Sequence, residues 1–153
     1  MKLRVIWVGK TKDPNLARLA ADFAARVRRF LPLEITELKD SKTADDSRRV
    51  QDEGRAMLAT MDASDRVIAL DAGGQLWSSR EFAAFLGKHL RHEPRRLTFV
   101  IGGYAGIAES VRKRAERTWS LSPLTFTHDM TRVVLLEQLY RALAALHNHP
   151  YSK

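Results

Sequence analysis

Apolar residues along this chain change their spacing repeatedly, and each change separates a strand-like run from a helix-like one. Short apolar or alternating runs bounded by Gly, Pro or polar residues are typical of strands. Five segments have this character: 3–8, 33–38, 66–71, 97–101 and 119–121. The alternation in the second predicts a half-exposed strand, whereas the fourth is the most apolar and is predicted to be buried.

Segments with apolar residues at helical spacing separate these runs. Asp13 and Pro14 form an N-cap and a first helical residue, and Ser78 with Glu81 forms a capping box. The predicted helices cover about 14–30, 44–61, 78–91 and 107–117, with a last helix from about 132. Strands that alternate with helices predict one α/β domain over residues 1–153, with a parallel-rich sheet and helices on both faces.

Two glycine pairs follow strands of this predicted sheet. Gly73-Gly74 is interpreted as a tight turn, the commoner role of such a pair. Gly102-Gly103 lets the backbone approach a ligand more closely than a side chain would allow, although it forms neither a dinucleotide fingerprint nor a P-loop. Ligands of parallel sheets bind beyond the carboxyl ends of the strands. Gly102-Gly103 and Leu70-Asp71 therefore mark the predicted site.

A second loop, residues 121–126, contains no charged residue. With the glycine turn it would form a pocket walled by main chain, which suits a flat, neutral heterocycle such as adenine. The helix after it is apolar nearly all round at 133–143, so it is predicted to be buried on more than one side. In a chain this small, a subunit interface is a good candidate for the second cover. Arg132 and Arg141 would then lie near any site formed between subunits.

Composition indicates the kind of partner. Lys and Arg number 26 against 18 Asp and Glu, a net charge of +8, and this excess favours a polyanion such as RNA. The candidates for this contact are Arg18, Arg28, Arg29, Arg112 and Lys113, and a solvated basic surface is the alternative. The chain starts with no signal-peptide pattern and holds no apolar run of membrane-spanning length. A soluble cytoplasmic protein with no membrane partner is therefore expected.

Candidate catalytic and metal-binding side chains are few. The chain has no Cys, which excludes disulfides, thiolate metal sites and a Cys nucleophile. No pair of histidines or carboxylates has metal-ligand spacing, so no metal is expected. His89 and His147 are expected to be exposed or at helix ends, and His128 to lie in a surface loop. The last six residues hold His149 and Tyr151, which can accept a proton and hydrogen-bond a ligand.

Several of these segments together resemble one known family. They are 101–103, 121–126, 132–142 and 148–151, with the opening residues 1–3 and 8–10. In this order, and over the whole chain, they resemble the ribosomal RNA large subunit methyltransferase H family, the smallest SPOUT methyltransferases. The resemblance implies a C-terminal trefoil knot, a homodimer and S-adenosyl-L-methionine as methyl donor. It also implies, as acceptor, N3 of a pseudouridine in helix 69 of 23S ribosomal RNA, on the assembled ribosome.

The resemblance further implies roles for individual residues. The cofactor would be held by Leu70, Gly102, Gly103, Leu121, Ser122, Pro123, Leu124, Thr125 and Phe126. The family tail commonly ends Tyr-His-Lys or Tyr-His-Arg, whereas this one ends Tyr-Ser-Lys. His149 is therefore the expected general base, and Tyr151 is expected to stack on the target base or hydrogen-bond a carbonyl. Arg132 and Arg141 would hold phosphate or stabilise a developing imide anion.

Three other interpretations fit parts of the sequence. A non-enzymatic basic α/β module that binds RNA or the ribosome explains the charge, but it would not need two charge-poor loops. A SPOUT enzyme acting on transfer RNA would usually carry an additional RNA-binding extension, for which this chain has no room. An enzyme acting on nucleotide phosphates would require a P-loop or metal-binding carboxylates.

Overall fold

A computed structural model describes residues 2–151 of the chain, and in that part strands and helices alternate strictly. The strands are β1 (Leu3–Val8), β2 (Leu33–Leu38), β3 (Arg66–Leu76), β4 (Leu97–Ile101) and β5 (Arg117–Ser120). The helices are α1 (Pro14–Arg28), α2 (Asp46–Thr60), α3 (Ser79–His92), α4 (Glu109–Arg114) and α5 (His128–Leu146). The Asp13 cap and the Ser78–Glu81 capping box are both present, as predicted.

The strands form one sheet in the order β2-β1-β4-β3-β5, and every neighbouring pair is parallel. Side chains of β1 alternate between the two faces: Val5 packs in the core formed with α1, α3 and α5, and Ile6 in the core formed with α2 and α4. The sheet is therefore covered on both sides, which explains why its central strands are apolar throughout. The predicted fold class is confirmed.

Helix α5 is covered within the chain itself. It lies on the sheet between α1 and α3, and it buries ten residues, including Leu135 and Leu139. This differs from the expectation that a second subunit covers the apolar helix. The helix also begins at His128, four residues before the predicted start, because Thr127 caps it by accepting a hydrogen bond from the Met130 amide. His128 is consequently half-buried at the start of a helix and not in a surface loop.

The interpretation of Gly73-Gly74 as a turn after β3 is wrong. Both glycines lie inside β3, where the register with β5 shifts between Leu70 and Gln75. A Cβ atom on Gly74 would lie 2.7 Å from the carbonyl carbon of Thr118, so the glycine permits the close approach of the two strands.

His89 lies in the last turn of α3, in agreement with the helix-end alternative, but it is buried, with 1% of its surface accessible. It continues the inward face of α3 after Phe82 and Leu86, at helical spacing. Its Nδ1 atom lies 3.1 Å from Nη1 of Arg66. Among the helices of residues 2–151, none combines the length and the apolar character needed to cross a membrane.

Candidate functional site

A cavity of about 240 Å³ opens at the carboxyl ends of β4 and β5, beside residues 70–72 in the middle of β3. The residues predicted to hold a cofactor that line it are Leu70, Gly102, Gly103, Leu121, Ser122, Leu124, Thr125 and Phe126. Pro123 belongs to the same loop but is exposed and lies outside the lining. Leu70 was predicted to end its strand, but β3 continues to Leu76 because it also pairs with β5. The structure thus brings together the middle of β3, the glycine turn and the charge-free loop, which are up to 56 residues apart in sequence (70 to 126).

The turn after β4 depends on glycine at two positions. The Gly106 amide donates a hydrogen bond to the Gly103 carbonyl at 3.0 Å, closing the turn. A Cβ atom on Gly102 would lie 2.7 Å from the Gly106 carbonyl oxygen, which real structures essentially never show. Gly106 has φ +102°, a conformation that side chains disfavour. Main chain therefore forms this wall of the cavity.

A buried carboxylate lies behind the glycine turn. Glu53 of α2 is 6% exposed, and a Cβ atom on Gly103 would lie 2.9 Å from its Oε2 atom. That oxygen has no hydrogen-bond partner within residues 2–151. Burial, together with the nearby Asp40 carboxylate, raises the pKa of Glu53. The sequence contained a signal for this position, because Glu53 shares a helix face with the inward-facing Val50 and Met57.

The loop over residues 121–126 is held by its own serines. Ser120 donates from Oγ to the Ser122 carbonyl at 2.9 Å, and the Leu124 amide donates to Ser122 Oγ at 2.9 Å. The Leu124 side chain remains 72% exposed. Because the loop carries no charged side chain and is fixed by internal hydrogen bonds, it can contact an uncharged group through its main-chain and apolar atoms.

One acidic side chain lines the cavity, and it is paired. Asp71 accepts hydrogen bonds at 3.2 Å from Nε and Nη2 of Arg112 on α4. This two-point contact with the Asp71 carboxylate raises the pKa of Arg112. His128, which sequence reasoning placed on the surface, also lines the cavity.

The C-terminal tail folds against α1 and α5. The hydroxyl of Tyr151 donates to Glu137 Oε1 at 3.2 Å, and Arg141 donates to the same oxygen from Nε at 2.9 Å and from Nη2 at 2.7 Å. Burial and the Glu137 carboxylate raise the pKa of Tyr151, so its phenol stays protonated at neutral pH. His149 is exposed, with its ring 6.3 Å from that of Phe30.

Within one chain, the tail and the cavity are separate. His149, Tyr151 and Arg141 lie close together, but none of the three lines the cavity. Ser152 and Lys153, where the tail departs from the family ending, lie outside the described residues.

Arg132 belongs neither to the cavity lining nor to the cluster of His149, Tyr151 and Arg141. Its side chain is fully buried, with its guanidinium 4.8 Å from the centre of the Trp7 ring. It donates from Nη2 to the Val8 carbonyl and from Nη1 to Thr11 Oγ1. The side chain is directed towards β1 and does not line the cavity.

No cluster of three or more histidine or carboxylate side chains suited to a metal ion occurs between residues 2 and 151. The cavity lining offers main chain, hydroxyl and apolar groups, and its ionisable side chains are Asp71, Tyr104 and His128.

Comparison with known proteins gives a consistent picture. The family model described as "Predicted SPOUT methyltransferase" matches residues 1–152. A protein of Trichlorobacter lovleyi named ribosomal RNA large subunit methyltransferase H is 44% identical over 151 residues, covering 99% of both chains. Proteins of the same name from Geobacter sulfurreducens and Gloeobacter violaceus are 44% and 38% identical over 151 residues, and in each case 99% of this chain is covered.

Proposed function

Because this chain belongs to the SPOUT methyltransferase family, and to the ribosomal RNA large subunit methyltransferase H group within it, we propose that it methylates 23S ribosomal RNA. The proposed acceptor is N3 of a pseudouridine in helix 69, on the assembled ribosome, and the proposed donor is S-adenosyl-L-methionine. The observation that carries the proposal is the main-chain-walled cavity at the ends of β4 and β5, beside the middle of β3. Membership of the family also implies the C-terminal trefoil knot.

The residues around the cavity fit this donor. Gly102 and Gly103 let the turn pack closely against Gly106 and Glu53, so main chain forms this wall of the cavity and a planar group can lie against it. Leu70, Leu121 and Phe126 would hold its apolar surfaces, and main-chain groups of the 121–126 loop would hydrogen-bond its edge. When bound, S-adenosyl-L-methionine supplies an electrophilic methyl group on a sulfonium sulfur. Because this group is already activated, the protein mainly has to position the reactants and accept one proton.

The proposed catalytic residues lie in the tail and, for Arg141, on the neighbouring face of α5. The uracil-type N3–H must lose its proton before its lone pair can react, and His149 would accept that proton on a ring nitrogen. Tyr151 keeps its own proton, so it can donate a hydrogen bond to a carbonyl on which negative charge develops. Arg141 is bound to Glu137, and an RNA phosphate would compete with that carboxylate for it.

A homodimer would unite the tail with a cavity. Since His149 and Tyr151 do not line the cavity of their own chain, we propose that the tail of one subunit closes over the cofactor of the other. Mixed dimers test this arrangement. A subunit with a disabled cavity, combined with one that lacks its tail, should regain activity at one of the two sites. If activity survives only when both defects are in the same chain, each site is formed within one subunit.

The function itself is tested by ligand binding and by methylation. S-adenosyl-L-methionine at about one hundred times its dissociation constant should stabilise the fold by roughly 2.7 kcal/mol. This raises the midpoint of thermal unfolding by several degrees. Transfer of labelled methyl groups to assembled ribosomes, mapped to helix 69, would follow. No thermal shift and no heat in direct titration would favour a non-enzymatic basic ribosome-binding module. A ribosomal substrate places the proposed reaction in the cytoplasm.

A further inference from the structure

Tyr104 stands at the tip of the glycine turn and remains 63% exposed. Its hydroxyl donates to Asp46 Oδ1 at 3.2 Å, and the Arg49 guanidinium lies 4.9 Å from the centre of its ring. Both partners belong to the start of α2, and Arg49 is itself fixed by a 2.8 Å hydrogen bond from Nη2 to the Thr43 carbonyl. The ring is thus held in place from two points although most of its surface faces solvent.

The position of the ring relates it to the cavity. Tyr104 lines the cavity from the glycine turn, and Leu124 lines it from the 121–126 loop. Both side chains remain largely exposed, so they stand at the rim. Apolar groups at the rim of a binding site are available to a second ligand that enters after the first.

The chemistry of the turn restricts what that second ligand can be. Residues 102–107 carry no charged side chain, so this turn offers no ionic contact to a phosphate. The turn offers the aromatic face of Tyr104, which is held in place before binding and has the Arg49 guanidinium of α2 on one side. Unpaired RNA bases are recognised by stacking on such faces, each stack having a free energy of about 1–3 kcal/mol. Pre-organisation reduces the entropy lost when the base binds.

We propose that Tyr104 is an RNA-contacting residue, on which an unpaired base next to the methylated one stacks at the mouth of the cavity. The proposal rests on the proposed function, because it takes ribosomal RNA as the substrate. It adds a contact of the protein with the RNA that is independent of the tail. The alternative role of the ring is to cover the bound donor, and the experiment separates the two.

The experiment compares Tyr104→Ala, Tyr104→Phe and the unchanged protein in two binding assays. Titration with S-adenosyl-L-methionine should give dissociation constants for Tyr104→Ala within about twofold of the unchanged protein. Co-sedimentation with assembled ribosomes should show affinity lower by roughly five- to 150-fold, the loss of one stacked base. Tyr104→Phe keeps the ring and should bind ribosomes nearly as well as the unchanged protein.

Leu76→Ala is the matched control, since Leu76 is 56% exposed but does not line the cavity, and it should change neither measurement. Unchanged ribosome affinity of Tyr104→Ala would overturn the proposal, and so would a loss confined to donor binding. The co-sedimentation result does not depend on turnover. If the unchanged protein methylates ribosomes and Tyr104→Ala binds them equally well, only the stacking role fails, whereas absence of methylation by the unchanged protein would count against the proposed function.

Discussion

Arg132 of α5 donates a 2.6 Å hydrogen bond from Nη2 to the main-chain carbonyl of Val8, the last residue of β1. A second bond, from Nη1 to Thr11 Oγ1 at 2.9 Å, reaches the loop that follows. Asp129, one turn earlier on α5, accepts hydrogen bonds from the amides of Lys12 and Asp13 in the same loop. The start of α5 and the end of β1 are therefore joined by one buried hydrogen bond and several partly buried ones.

This contact predicts that Arg132→Met destabilises the fold. The change leaves the Val8 carbonyl without its donor and the mostly buried Asp129 without its cation at 3.8 Å, and removing one partner of a buried pair costs about 3–5 kcal/mol. Urea unfolding measures the free energy of unfolding directly. Arg141→Met is the matched control, because the Arg141–Glu137 pair is partly exposed and should cost less than about 1 kcal/mol. Unchanged stability of Arg132→Met with lost methylation would instead support the catalytic role expected from the sequence.

Gly102→Ala should weaken binding of the donor. The added methyl group would lie 2.7 Å from the Gly106 carbonyl oxygen and 2.9 Å from its carbon, so the turn that walls the cavity has to move. We expect the dissociation constant for S-adenosyl-L-methionine to rise at least about tenfold by isothermal titration, equivalent to about 1.4 kcal/mol. Gly73→Ala is the control, since its methyl group would meet only Asp71 Oδ2, at 3.7 Å. Equal affinities of the two variants would show that the turn does not contact the donor.

Removal of residues 149–153 should separate binding from catalysis. The tail packs on Phe30, Tyr140 and Glu137 and does not line the cavity, so donor affinity should stay within about twofold while methylation is lost. Tyr151→Phe is a milder variant that keeps the ring against Tyr140 and removes only the hydroxyl. Lost donor affinity in the truncated protein would show that the tail supports the cavity of its own subunit.

The sequence predicted the strands and the cofactor loops because their signals are local. An apolar run bounded by a glycine pair marks both the end of β4 and the place where backbone can approach a ligand. All five strands were found, and most of the residues proposed to hold the cofactor do line the cavity.

What could not be predicted depends on contacts distant in sequence. Gly74 continues β3 only because β5 pairs with it, 44 residues later (74 to 118). The sequence around Arg132 does not show that its side chain donates to the end of β1, because that contact forms only when α5 packs beside β1. The same holds for α5, whose apolar residues are covered by the sheet, α1 and α3 together. Periodicity shows that a face is buried but does not identify what covers it.

Stability should fall on mild acidification through His89. Burial and the neighbouring Arg66 guanidinium lower its pKa below the ordinary value of 6.5. The unfolded chain therefore binds a proton at His89 more readily than the folded chain does. The stability contributed by neutral His89 is fully present above pH 6.5 and is lost as the pH falls towards the lowered pKa.

The measurement is the free energy of unfolding between pH 7.5 and 5.5, compared with that of His89→Gln. The unchanged protein should lose more stability, by up to about 1.4 kcal/mol per pH unit for this one group. Glu53, whose raised pKa acts in the opposite direction, is present in both proteins and cancels in the comparison. Parallel curves would show that His89 titrates normally.

Two neighbouring cations on α4 should differ in their contribution to ribosome binding. Lys113 is exposed and has no ion-pair partner among residues 2–151, whereas Arg112 is held by Asp71 and Glu109. A free lysine that meets a phosphate releases a counterion, so Lys113→Gln should reduce the slope of log affinity against log salt by about 0.7–0.9. Arg112→Gln should reduce it less, because Asp71 already neutralises that guanidinium. Ribosome affinities measured across a salt series decide this, and a wild-type slope for Lys113→Gln would place Lys113 on the solvated surface away from RNA.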